Sequence, residues 1–192
     1  MPTGVHLRDV RTQLFDAAER VLANGGPSAL TSRAVTDEAG CAKGVLHRHF
    51  TDFDGFLSEL VLDRIAAVEA RGEVLAEAAG TGSVVDNVTE ALTDVFSSVA
   101  VSIVALITFR DELRTRLRTA RPRGVPLVGD AARMLARYLT AERAIGRLSP
   151  TADVGTLAPT LVGAGHLHFA DRGSAPASLR PMVTAVLSPV LG

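Results

Sequence analysis

The chain's one lysine, Lys43, is followed closely by His47, Arg48 and His49, with Ser32 and Arg33 a short way upstream behind Thr31. From Lys43 to His49 there are donors and cations and no carboxylate. Such a set suits clamping phosphate oxygens and reading acceptor-rich edges by hydrogen bonding. Sharper chemistry fails elsewhere. His47 and His49 are two residues apart, as are His166 and His168, and on a helix that spacing sends the rings to different sides, so no metal pair is expected. Nothing supplies a nucleophile with its base, paired carboxylates, a glycine-rich phosphate loop or a cofactor fingerprint, so neither an enzyme nor a cofactor is expected. One cysteine, Cys41, excludes an intrachain disulfide and suits a reducing cytoplasm.

Two short helices are needed to position those donors. Val35 and Ala39 are four apart, as are Leu46 and Phe50, so each pair marks the inner face of its own helix. Gly40 supplies the permissive backbone of a sharp corner, and Cys41 is small enough to sit beneath it. With Leu46 and Phe50 turned inward, the second helix presents Lys43, Gly44, Val45, His47, Arg48 and His49 outward. This is the pattern of a helix-turn-helix, whose second helix enters the major groove.

Residues 7–60 resemble the N-terminal domain of the TetR family of transcriptional regulators. The resemblance rests on the first-helix pattern ending in Asn24-Gly25-Gly26, then Leu30-Thr31, Arg33, Val35, Glu38-Ala39-Gly40, Lys43-Gly44, Leu46, His49-Phe50 and Phe56-Leu57. It implies that Thr31, Ser32, Arg33, Lys43, Gly44, Val45, His47, Arg48 and His49 form the DNA-contacting set, with Thr31 on phosphate. Three positions depart from the family pattern. His47 replaces a tyrosine that often reaches phosphate, Phe53 stands where a lysine is usual, and Ala42 replaces a serine cap, a loss of roughly 1 kcal/mol for the helix that follows.

Around this head the chain reads as helix throughout. Val10, Leu14, Ala17, Ala18 and Val21 predict a first helix over about 7–23, ended by Gly25 and Gly26, with Thr31 capping the next. Phe56, Leu57, Leu60, Val61, Ile65 and Val68 mark a long fourth helix that stops at Gly80-Thr81-Gly82, with Thr51 or Asp52 as its cap. Further helices follow over Val84–Ile103, around Leu113 and Leu117, from Leu127 towards Gly146, from Ser149-Pro150-Thr151 to Phe169, bent or restarted at Pro159, and over Pro181–Leu187. The expected fold is all-α, about nine helices: a three-helix DNA-binding domain at 1–53 and a helical ligand-binding and dimerisation domain at 54–192.

Composition agrees with a globular chain, since 47% of the 192 residues are hydrophobic and 21% charged. The net charge of −1 does not advertise a nucleic-acid partner. Even Met1–Gly55 sets six fixed cations (Arg8, Arg11, Arg20, Arg33, Lys43, Arg48) against seven carboxylates. The opening residues lack a basic-then-apolar leader pattern, and the most lipid-like run, Val95–Phe109, is fifteen residues long with three serines and a threonine. That is short of the ~20 a spanning helix needs, so a cytoplasmic location away from any membrane is expected.

Two further partners are implied. The last two helices are apolar around much of their circumference, and Gly163-Ala164-Gly165 allows close approach of another helix, which suggests a two-fold homodimer; in the TetR family a four-helix interface of this kind pairs two recognition helices over a palindromic site. The resemblance also implies a small, largely apolar effector that releases a repressor from its operator, held among Phe96, Val99, Ile103, Phe109, Met134, Tyr138 and His166. The alternative is a helical-bundle carrier of small molecules or lipids, or an enzyme on such a bundle, without DNA binding.

Overall fold

The computed structural model describes residues 3–96, 100–121, 124–170 and 179–192, with side chains from residue 10 onward. The elements in chain order are α1 (Thr3–Ala29), α2 (Ser32–Glu38), α3 (Gly44–His49), α4 (Phe53–Glu77), α5 (Val84–Phe96), α6 (Ala100–Phe109), α7 (Asp111–Ala120), α8 (Val128–Ala144), α9 (Val154–Ala170) and α10 (Leu179–Leu187), closed by a 3₁₀ turn at Ser188–Val190. Among the described residues there is no strand, only an isolated bridge between Leu148 and Leu191. The all-α expectation holds, with ten α-helices described against about nine expected. Part of the difference lies at Val84–Ile103, expected as one helix; α5 and α6 are described there, and 97–99 between them lie outside the described residues.

Helix boundaries follow local chemistry. Within the span of α1, Gly26 takes φ of 70°, a left-handed conformation that breaks the helical path just ahead of Pro27. Thr31 caps α2, its hydroxyl oxygen accepting the Ala34 amide at 3.1 Å. For α4 the cap is Asp52, whose carboxylate accepts the Gly55 amide at 2.7 Å. Pro159 sits inside α9, which runs on across it, so the helix is not restarted there.

The chain divides into two compact units, Met1–Asp63 with Ser102–Pro122, and Arg64–Val101 with Arg123–Gly192. The first buries Leu14, Ala17, Ala18 and Leu22 of α1 with Val35, Leu46, Phe50, Phe56, Leu57 and Leu60, and also Ile103, Leu106, Leu113 and Leu117 from α6 and α7. Val10 and Val21, expected inside, are only half-buried, and Phe15 and Leu22 take their place. The second unit is built on Ile65, Val88, Leu92, Leu135, Tyr138, Leu139, Val162 and Val183, all within 1% of complete burial. No single helix among the described residues is long and apolar enough to cross a membrane.

Candidate nucleic-acid interface

The surface of α3 is held from behind by α1. Arg11 donates to the His49 carbonyl at 3.1 Å, pairs with Glu59 of α4, and lies 4.4 Å over the ring of Phe50. One guanidinium therefore fixes the end of α3 to both flanking helices. Gln13 donates to the Ala39 carbonyl at 3.0 Å, satisfying the end of α2, and Arg20 meets Glu38 at 2.6 Å. Beneath them Phe50 stands edge-on to Phe56 at 4.9 Å, and Phe15 touches both rings.

Gly40 makes the corner between α2 and α3 at φ of 65°. A Cβ there would meet nothing within 4 Å, so the requirement for glycine is conformational and not steric. The Cys41 amide donates to the Thr36 carbonyl at 3.0 Å and closes the turn. Cys41 is half-buried, and burial pushes its thiol above the usual value. Leu46 and Phe50 are buried, as their spacing requires, while Lys43, Gly44, His47 and Arg48 are exposed and Val45 and His49 half-buried.

The upstream residues share that surface. Ser32, Arg33 and Thr36 of α2 line one groove with Lys43, Gly44 and His47. Thr31 is exposed; its oxygen serves the cap while its hydroxyl proton stays available to an acceptor. Arg33 lies 3.5 Å from Asp37. Lys43, His47 and Arg48 have no hydrogen-bond or ion-pair partner among the described residues, so their donors face solvent. The arrangement can grip anionic oxygens along a ridge and present donors to a groove floor.

The three departures have structural consequences. Phe53 stacks on Phe56 at 5.7 Å, and the Arg110 guanidinium lies 5.2 Å over the Phe53 ring while reaching Asp54 at 2.6 Å. A cation thus stands beside this position, supplied from the segment after α6. Asp52 pairs with Arg116 of α7 at 2.8 Å. Its carboxyl is held below the usual range by the Gly55 amide first and Arg116 second. At Ala42 no side chain caps α3; the Ala42 carbonyl only accepts the Val45 amide at 2.9 Å.

The ligand-binding candidates fall in different places. In the second unit Phe96, Met134 and Tyr138 are buried. His166 is half-buried and edge-on to Phe96 at 5.8 Å, and its Nδ1 is enclosed without a hydrogen-bond partner. Tyr138 accepts from Asn87 at 2.8 Å, and burial, followed by its hydrogen bond to Glu142, pushes its hydroxyl above the usual range. In the first unit Ile103 is buried and Phe109 is 83% exposed beside Pro27, Ser28, Ala105 and Leu106. Val99 lies outside the described residues.

Residues 14–60 match the family model described as bacterial regulatory proteins, tetR family. No curated protein matches the chain. Among solved structures, a TetR-family transcriptional regulator from Agrobacterium tumefaciens aligns with a TM-score of 0.74 at 14% identity over 97% of this chain and 100% of that one. A transcriptional regulator from Rhodococcus sp. gives 0.66 at 19% over 94% and 97%. The regulator FadR of Bacillus subtilis, solved in complex with stearoyl-CoA, gives 0.60 at 16% over 92% and 97%. At such identities the likeness is one of fold, and it runs nearly the whole length of each chain. Residues 14–60 thus match the tetR-family model, and the chain around them has the fold of these solved regulators.

Proposed function

We propose that the protein is a homodimeric, cytoplasmic repressor that grips a palindromic operator with two copies of α3 and lets go when a small, largely apolar ligand enters the second unit. The observation that carries this is the α3 ridge, on which Lys43, His47 and Arg48 face outward with no internal partner while Leu46 and Phe50 anchor it. Thr31, Ser32, Arg33, Gly44, Val45 and His49 complete the DNA-contacting set. DNA reading resides in 1–53, and 54–192 supplies the ligand and partner surfaces, with Ser102–Pro122 packing in the first unit and bracing the reader.

The ligand reading draws support from His166, whose enclosed, unpartnered Nδ1 beside Phe96 offers one polar anchor in apolar surroundings. It also draws on FadR, whose solved complex holds stearoyl-CoA. The dimer reading draws on α9, where Leu167 is 70% exposed and a Cβ on Gly163 would meet open space. The protein acts by binding and population shift, not by catalysis. Selection of genomic fragments with the purified protein tests the reading. Recovery of a palindrome with half-sites about one helical turn apart is expected, and recovery of no common sequence refutes it.

A further inference from the structure

The DNA-reading surface is short of fixed charge. Of the six fixed cations between Met1 and Gly55, Arg11 is paired with Glu59, Arg20 with Glu38 and Arg33 with Asp37, and Arg8 precedes the described side chains. Among the described residues of that stretch, Lys43 and Arg48 are the fixed cations without a carboxylate partner. His47 lies between them in sequence, is exposed, and shares with Lys43 the groove formed with Ser32, Arg33, Thr36 and Gly44. Lys43 and His47 are one helical turn apart and so point the same way. A neutral imidazole adds one hydrogen bond to this surface; an imidazolium adds a third unpaired charge to two.

We propose that DNA binding by this protein is proton-linked through His47, the duplex holding the protein with a proton on that imidazole, so that affinity falls as the solution turns alkaline. This rests on the assignment of α3 as the DNA-reading element.

An imidazole set against phosphate gains from carrying charge, and histidine is the side chain that changes charge in the physiological range. The sign follows from linkage. The bound state carries more protons than the free state, so the association constant decreases with rising pH, by at most tenfold per pH unit for one proton. The charged groups around His47 leave room for this. On α2, Arg33 is committed to Asp37 at 3.5 Å, and Glu38 to Arg20 at 2.6 Å. Lys43 precedes α3, Arg48 and His49 follow on it, and Arg11 of α1 and Glu59 of α4 meet each other at the carbonyl end of His49. No acid among these is paired with His47, so bound phosphate is the anion that the imidazolium would meet.

The test uses fluorescence anisotropy with a long mixed-sequence duplex at low salt, where sequence-independent phosphate contacts set affinity. Titrations are run at about pH 6 and about pH 8, on either side of the usual histidine range. The wild-type protein is expected to bind several-fold more tightly at the lower pH, with a slope of log affinity against log salt steeper there by about one. His47→Gln is expected to bind with the alkaline affinity at both pH values and His47→Arg with the acidic affinity at both. Wild-type binding that does not change with pH, or a His47→Gln variant that keeps the full pH dependence, overturns the inference alone. Absence of duplex binding by both wild type and His47→Arg at either pH overturns the DNA-reading assignment itself.

Discussion

Lys43 and Arg48 illustrate how exposure without an internal partner separates a working cation from a structural one. Lys43, capping the start of α3, and Arg48, on it, both project into solvent, whereas Arg11, on the same head, is consumed by Glu59, the His49 carbonyl and the Phe50 ring. Replacement of the two classes therefore gives opposite signatures. Lys43→Ala and Arg48→Ala are expected to leave the thermal midpoint and helix content unchanged. If the lost contact is to phosphate, affinity falls on every duplex and the salt slope drops by about one for each variant; normal affinity in both variants would remove the assignment of α3. Arg11→Ala removes a carbonyl hydrogen bond, an ion pair and a ring contact together, and is expected to cost the head roughly 1–2 kcal/mol in chemical denaturation. An Arg11→Lys variant should recover only part of this, because an ammonium cannot reach three partners with a planar fork. An unchanged unfolding midpoint in Arg11→Ala would show that α1 does not hold α3 in place.

At the level of elements, α4 depends on Asp52, which both caps it and ties it to Arg116 of α7. Because the folded carboxyl titrates below its usual value, the stability it confers is fully present above the unfolded value, about 3.9, and is lost as pH falls through the lower folded one. Asp52→Asn, which keeps an acceptor for the cap but loses the charge, is expected to lower the thermal midpoint at neutral pH and to flatten its decline in acid; parallel acid profiles for both proteins would contradict this. The elements of the head were legible in the sequence because their signals are local: Thr31, Gly40, and the pairs Val35 with Ala39 and Leu46 with Phe50 lie within one or two turns of what they control. Arg11 was not legible, since its partners lie 38 and 48 residues away. Nor was the association of Ser102–Pro122 with the first unit. The α5 and α6 stretch misled for a different reason: Val88, Leu92, Val95, Val99 and Ile103 continue one helical spacing across the boundary, and no glycine or proline interrupts it. Residue type alone marks the ligand candidates, and it does not distinguish buried Phe96 from exposed Phe109.

For the whole molecule, the scarcity of unpaired cations on one head makes a second copy physically important. A reading surface with two free fixed charges makes few phosphate contacts, and a monomer would hold a single half-site weakly. Two heads joined rigidly turn the second contact into an intramolecular event, with an effective concentration far above that of free protein. In the proposed dimer the joining surface is formed by α9 and α10. Leu167, 70% exposed on α9, is the large apolar side chain there that a partner would cover. Leu167→Glu would place a buried carboxylate in each half of a two-fold interface, a charge that has no partner and repels its own copy. Light scattering is expected to report a dimer for the wild type and a monomer for Leu167→Glu at micromolar concentration. On a selected palindrome the variant should lose most of its affinity, while on a single half-site it should match the wild type, because α3 is untouched. Equal affinity of both proteins for the palindrome, or a wild type that scatters as a monomer, would mean that each head reads DNA alone and that the exposed apolar surface of α9 serves some other end.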